Sequence, residues 1–160
     1  MVFNSISRVR LKEPYTKILS RFKSPIQFLE IGLDTGNSLK GWKGFFPPES
    51  AIYGIDITME NIVADLSPFH VYEMDSTNQE KADKTFKDEF FDVIIDDGGP
   101  RCHVDTFRIF SKKLKRNGIY LIETFKKSAP IEDVFEDLKK AVVGNHLLER
   151  NDGFILYQKL

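Results

Sequence analysis

The stretch Phe28-Leu29-Glu30-Ile31-Gly32-Leu33-Asp34-Thr35-Gly36-Asn37-Ser38-Leu39 decides the fold. A largely apolar run from Ile26 to Ile31 carries a carboxylate near its end and leads into two glycines. A helix-compatible segment follows directly. A strand that turns sharply into a helix leaves backbone N–H groups open at the helix start, and glycines let a ligand approach that backbone. The turn, Glu-x-Gly-x-x-x-Gly, therefore predicts a site for a nucleotide-like cofactor.

The same signature recurs along the chain. Ala51–Asp56, His70–Met74 with Asp75 behind it, and Phe91–Ile95 running into Asp96-Asp97-Gly98-Gly99-Pro100 all read as strands, as does Ile119–Ile122 before Glu123. Helical spacing fills the intervals. It is carried by Tyr15, Ile18, Leu19 and Phe22 after Pro14, and by Leu39, Trp42, Phe45 and Phe46 within 37–46. Thr58 is a plausible N-cap for a helix with Met59, Ile62, Val63 and Leu66. Residues 79–89 suggest a solvated helix around Ala82 and Phe86. Val104, Phe107, Phe110 and Leu114 mark the next helix, and Pro130 opens one with Ile131, Val134, Phe135 and Leu138. Finally, His146–Glu149 and Phe154–Tyr157 flank Arg150-Asn151-Asp152-Gly153, which predicts an antiparallel hairpin. Alternation of strand and helix favours an α/β fold, a parallel sheet covered on both faces. One domain over residues 1–160 is expected, with 1–14 as a loose N-terminal arm.

Composition bounds the function. The chain has 160 residues, 41% of them hydrophobic, and a formal net charge of −1. That balance predicts no general attraction to nucleic acid or to an anionic membrane. Cys102 is the only cysteine, so no intrachain disulfide can form, and a reducing, cytoplasmic setting fits. No apolar run approaches the ~20 residues of a membrane span.

Ligands of an open α/β sheet bind beyond the carboxyl ends of the strands. Glu30, Asp56, Asp75, Asp96, Asp97 and Glu123 all stand at those ends. So many carboxylates would repel one another unless they meet hydroxyls, an amine or a metal. Asp56 follows Gly36 by 20 residues, where a carboxylate accepts ribose hydroxyls. The turn lacks the middle glycine of Gly-x-Gly-x-x-Gly, which brings backbone against a pyrophosphate. This speaks against NAD, and so against a nucleotide-dependent oxidoreductase, and favours S-adenosylmethionine.

Several motifs carry a family resemblance: Glu30-Ile-Gly32, Gly36-Asn-Ser-Leu-Lys-x-Trp42, Phe46-Pro47, Ile52-Tyr-Gly-Ile-Asp-Ile57, Ile94-Ile-Asp-Asp-Gly98 and Leu114-Lys-x-x-Gly118-x-Tyr-x-Ile-Glu123. Over residues 26–123 the chain resembles class I S-adenosylmethionine-dependent methyltransferases, most closely the metal-dependent sugar O-methyltransferases of macrolide biosynthesis and the cephalosporin hydroxylase-like group. The resemblance implies a Rossmann-like, doubly wound, seven-stranded and mostly parallel sheet of order 3-2-1-4-5-7-6, ending in the antiparallel hairpin. It implies methyl transfer to a small-molecule or sugar hydroxyl. It also implies that Glu30, Gly32 and Gly36 line the methionine end of the cofactor, that Asp56 holds the ribose, and that Ile57 lies beside the adenine. Asp75 and Ser76 would meet the adenine amino edge, and Asp96 would begin the floor under the methyl group.

The chain departs from the family at two places. The family reads Asp-Asp-Gly-Ser-His after the fourth strand, with the second Asp on a divalent metal and the His as base. Here Pro100 replaces that His, which leaves Asp97 and His103 as the candidate catalytic residues. The family ends its fifth strand in Glu-Asp, whereas Glu123-Thr124 stands here. Asp97 and Glu123 are then the candidate ligands for Mg²⁺. These departures keep open a cofactor-binding protein without methyltransferase activity. The chain also shows no insertion to cap an acceptor. The acceptor is then large, or the site is completed by residues 1–14, by a second copy in a homo-oligomer, or by a partner.

Overall fold

The computed structural model describes residues 17–99, 102–123, 131–151 and 153–160. The strands are β1 (Gln27–Ile31), β2 (Ala51–Asp56), β3 (His70–Glu73), β4 (Phe91–Asp96), β5 (Leu114–Glu123), β6 (His146–Asn151) and β7 (Phe154–Lys159). The helices are α1 (Ser38–Phe45), α2 (Gln79–Thr85), α3 (His103–Lys113) and α4 (Ile131–Ala141). All seven strands form one sheet of order β3-β2-β1-β4-β5-β7-β6. Strands β1 to β5 pair in parallel, and β7 runs antiparallel to both β5 and β6. The expected doubly wound sheet and its terminal hairpin are both present.

Period-two alternation divides the central strands between two cores. Leu29, Ile31, Ile94, Tyr120 and Ile122 face one way and pack with Phe107 and Phe110 of α3. Phe28, Val93, Ile95, Ile119 and Leu121 face the other way and pack with Leu39 and Trp42 of α1. Because both faces are covered, the central residues of these strands are largely apolar, and carboxylates stand out at or near their carboxyl ends.

Three expectations need correction. Residues 57–69 contain no helix. The Thr58 hydroxyl accepts the Glu60 N–H at 3.2 Å, and Asp65 accepts the Ser67 N–H at 2.9 Å. The Val63 and Ala64 N–H groups both donate to the Thr35 carbonyl. Local side-chain bonds and this strap to the glycine turn replace the helical ladder. Helix α2 stops at Thr85, because Glu89 and Phe90 donate their N–H groups to the carbonyls of Lys112 and Lys113. Strand β5 starts at Leu114, with a register shift between Phe91 and Val93 and with Asn117 at φ 61°. The N-terminal arm and Tyr15 lie outside the described residues, while residues 17–19 are helical and Leu19 is fully buried. Among the described residues, no helix is long and apolar enough to cross a membrane.

Lys113 fastens α2 and the following turn to the end of α3. Its side chain is buried, and Nζ donates to Asp83 at 2.6 Å and to Asp88 at 2.7 Å. Both carboxylates are about half exposed and can hydrate if the lysine is lost. Lys113→Met should therefore cost roughly 1–2 kcal/mol, read from urea denaturation.

Candidate functional site

The carboxyl ends of β1, β2 and β4 enclose a cavity of about 620 Å³. Its shape follows from one close approach. The Gly32 N–H donates to the Ile55 carbonyl and the Asp97 N–H to the Ile31 carbonyl, each at 2.9 Å, so the sheet ladder runs one residue past the strands. Gly32 has φ +85°, and a Cβ there would lie 2.7 Å from the Asp97 carbonyl oxygen. Only glycine satisfies both the backbone conformation and that contact. Gly36, at φ +76°, turns the chain into α1 and lies behind the cavity rather than on its wall.

Asp56 holds the turn from the second strand. Its Oδ2 accepts the N–H groups of Leu33 at 2.6 Å and Asp34 at 3.2 Å, and Oδ1 accepts the Thr58 N–H at 3.3 Å. Asp75 is fixed in the same manner. Its Oδ1 accepts the hydroxyl of Thr77 at 2.7 Å and the N–H of the same residue at 2.8 Å, and these bonds hold the carboxyl below its ordinary range. Ser76 shares a 2.8 Å hydroxyl–hydroxyl hydrogen bond with Thr106 of α3, which ties this loop to the far wall.

Two carboxyl groups lie beneath the cavity instead of on it. Glu30 is buried and accepts the Ser38 hydroxyl at 2.6 Å. Burial pushes its carboxyl up to about 8. The Ser38 hydroxyl and the Trp42 indole oppose that rise, although the indole N–H reaches no partner at full hydrogen-bond geometry. The negative charges of Asp97 and Glu123 add to it. Asp96 is completely buried, and it accepts the Gly98 N–H at 3.0 Å and the Tyr120 hydroxyl at 3.2 Å. Burial, and after it the neighbouring Asp96, drives the Tyr120 phenol well above its ordinary value.

His103 opens α3 and is 1% exposed. Its Nδ1 lies 3.2 Å from Asp96 Oδ1 but outside hydrogen-bond geometry. The imidazole is thus enclosed and is not among the residues that line the cavity. Among the described residues, no group of three or more His, Cys, Asp or Glu side chains converges as a metal site. Asp97 lines the cavity, whereas Glu123, at the end of β5, does not.

Of the residues singled out in the sequence, Gly32, Asp56, Ile57, Asp75, Ser76 and Asp97 meet around the cavity. Glu30, Gly36, Asp96, His103 and Glu123 are not among its lining residues. The sequence reading missed Asp34, Met74 and Thr77 on the wall. Asp34 had one available signal, its place inside the glycine turn. Cys102 also lines the cavity, where its thiol is raised by burial and by the Asp96 charge and donates to the Gly99 carbonyl at 2.9 Å.

Two outcomes follow. Gly32→Ala should lower stability by roughly 1–2 kcal/mol through left-handed strain alone, with the clash on Asp97 adding to it, as read from denaturant midpoints. The folded Glu30 carboxyl takes up its proton more readily than the unfolded one. Its contribution to stability is therefore full below pH 4.5 and is lost as pH rises through about 8. Glu30→Gln keeps the Ser38 contact and should flatten that loss, by roughly 4 kcal/mol between pH 5 and pH 9, in denaturation curves recorded over that range.

No family model and no curated protein matches the chain. Solved structures do. The mycinamycin-pathway methyltransferase MycE, in complex with Mg, S-adenosylhomocysteine and mycinamycin VI, superposes with a TM-score of 0.73 at 22% identity, over 91% of this chain and 47% of that one. A SAM-dependent methyltransferase from Archaeoglobus fulgidus gives 0.63 at 19% identity, over 87% and 70%. Phosphoethanolamine N-methyltransferase 2 from Haemonchus contortus gives 0.60 at 18% identity, over 83% and 37%. The chain thus spans about half the length of the MycE chain. Sheet order, glycine turn and superposition agree: the chain has the fold of the class I methyltransferases.

Proposed function

We propose that the cavity binds S-adenosylmethionine and that the chain transfers its methyl group to a hydroxyl of a small molecule. One observation carries this reading: Gly32 is held against the Asp97 backbone beside a carboxylate-lined cavity that opens at the ends of β1, β2 and β4. A site with Asp34, Asp56, Asp75 and Asp97 on its walls repels a pyrophosphate and suits a cation that carries a ribose. The MycE neighbours hold Mg and S-adenosylhomocysteine, and one also holds a macrolide. Another neighbour is an N-methyltransferase, so the fold leaves the acceptor atom open. The hydroxyl is favoured by the sequence motifs shared with the sugar O-methyltransferases.

When bound, the cofactor supplies a methyl group on an electrophilic sulfonium. The protein's share is placement and proton handling. Asp56, whose Oδ1 makes only a 3.3 Å contact with Thr58, accepts the ribose hydroxyls. Ile57 is 68% exposed at the cavity edge and packs on the adenine, with Asp75 and Ser76 at its amino edge. Asp96 supports the floor through Gly98 and Tyr120. Asp97 receives the acceptor hydroxyl and its proton. No step is assigned to Mg²⁺, because Asp97 and Glu123 do not gather with a third ligand among the described residues.

A second reading, cofactor binding without methyl transfer, is favoured by the enclosure of His103. Calorimetric titration with S-adenosylmethionine tests the common part, and a folded protein that takes up no ligand overturns it. Asp56→Ala should weaken binding roughly 10- to 100-fold with unchanged circular dichroism. Asp97→Asn should bind the cofactor yet turn over at least about 100-fold more slowly. Binding without turnover across a panel of hydroxyl acceptors, with and without Mg²⁺, selects the second reading.

A further inference from the structure

Ser76 lines the cavity, and its hydroxyl lies 2.8 Å from that of Thr106, which is completely buried in α3. Both hydroxyls also reach a third group. Burial and then the Asp96 charge raise the Cys102 thiol, and the Thr106 hydroxyl, followed by that of Ser76, opposes the rise from within hydrogen-bond reach of the sulfur. The thiol itself donates to the Gly99 carbonyl at 2.9 Å. The loop after β3, the approach to α3 and α3 itself are thus joined by one small polar cluster. Each hydroxyl in it has one hydrogen to give and two lone pairs to receive. The carbonyl at the far end has no hydrogen, so the thiol spends its own there. Thr106 has two inward acceptors for its hydrogen. One is the sulfur, and the other is the Cys102 carbonyl one helical turn back, which already takes the Thr106 N–H at 2.8 Å. Ser76 is then left to donate to the Thr106 oxygen.

We infer that Thr106 turns the Ser76 hydroxyl into a hydrogen-bond acceptor toward the cavity, and that Thr106 is thereby a positioning residue for base specificity. The inference rests on the S-adenosylmethionine reading of the cavity, which sets Ser76 at the amino edge of the adenine. With its hydrogen turned inward, Ser76 offers the ligand lone pairs alone. Asp75, beside it on the wall, is acceptor-only as well. Its Oδ1 takes the hydroxyl and the N–H of Thr77, and these bonds hold the group in its carboxylate form. An edge of two acceptors suits a purine with an exocyclic amine, which donates. It opposes a purine with a carbonyl in that place, because acceptor then meets acceptor with no hydrogen between them. Thr106 is fully enclosed and acts only through Ser76.

Titration calorimetry of the whole chain with two thioethers tests this. One is S-adenosylhomocysteine, and the other is the same molecule with hypoxanthine in place of adenine. The adenine form should bind at least about tenfold tighter. Ser76→Ala removes the lone pairs at the cavity surface and should narrow that ratio about fivefold, by weakening the adenine form alone. A Ser76 that donated into the cavity would instead weaken the hypoxanthine form and widen the ratio, which overturns the inference. Thr106→Val frees the Ser76 hydrogen to meet the hypoxanthine carbonyl and should narrow the ratio by a similar factor, while Thr106→Ser restores it. If the valine variant does not fold, Thr106→Ala removes the same hydroxyl without setting a methyl in its place. In the Ser76→Ala background, Thr106→Val should leave the ratio unchanged. A Thr106→Val loss shared equally by both ligands marks a structural role and overturns the inference. An unaltered chain that binds both ligands equally overturns the inference alone. A folded chain that binds neither removes the S-adenosylmethionine reading and the inference with it.

Discussion

The contact between Gly32 and the Asp97 backbone is the constraint on which the site depends. Strands β1 and β4 are parallel neighbours, and their ladder continues one residue beyond each strand. Two chains at that spacing leave no room for a side chain between them, which makes Gly32 obligatory and sets the level at which the loops part. Everything beyond that level is wall, namely Asp34 on one loop and Asp97 to Gly99 on the other. Everything below it is packing. Asp56 then fixes the third side, by turning its carboxylate back onto the amides that the glycine turn leaves open.

The carboxyl groups accordingly fall into two layers. The lower one, Glu30 and Asp96, is buried and answered by hydroxyls and amides, and Glu30 retains its proton into the neutral range. The upper layer faces the cavity. A protonated Glu30 spares the structure a further negative charge near Asp97 and Glu123, whose fields already act on it. Burial thus makes the Glu30 carboxyl a neutral scaffold beneath a lining of aspartates.

Most of the fold was legible because it rests on periodicity. Apolar runs at β1, β2, β4 and β5 and helical spacing at α1, α3 and α4 are local signals that tertiary contacts reinforce. The segment after Thr58 was misread because its apolar residues have helical spacing, yet Thr58, Asp65 and the Thr35 carbonyl offer its backbone other partners. Strand ends gave the cavity residues Asp56, Asp75 and Asp97, since position along a strand fixes height at the sheet edge. Orientation was not legible. His103 lies one residue after Cys102 in the chain, but the start of α3 turns the thiol to the cavity and the imidazole beneath it. Asp34 escaped notice because a turn, unlike a strand, carries no period from which a facing direction can be read.

The pairing of β1 with β4 also bears on how the site comes into being. The Gln27 N–H meets the Asp92 carboxylate across 65 residues of chain, at the start of the same two strands. Contacts of such separation form only after a long loop has closed, which places them late in folding and makes the topology slow. The glycine turn draws on Asp56 of the next strand, 22 and 23 residues away, but its opposite wall cannot arrive before the centre of the sheet is assembled. A ligand that requires both walls recognises only chains that have passed that step, so its uptake during refolding would report completion of the central sheet.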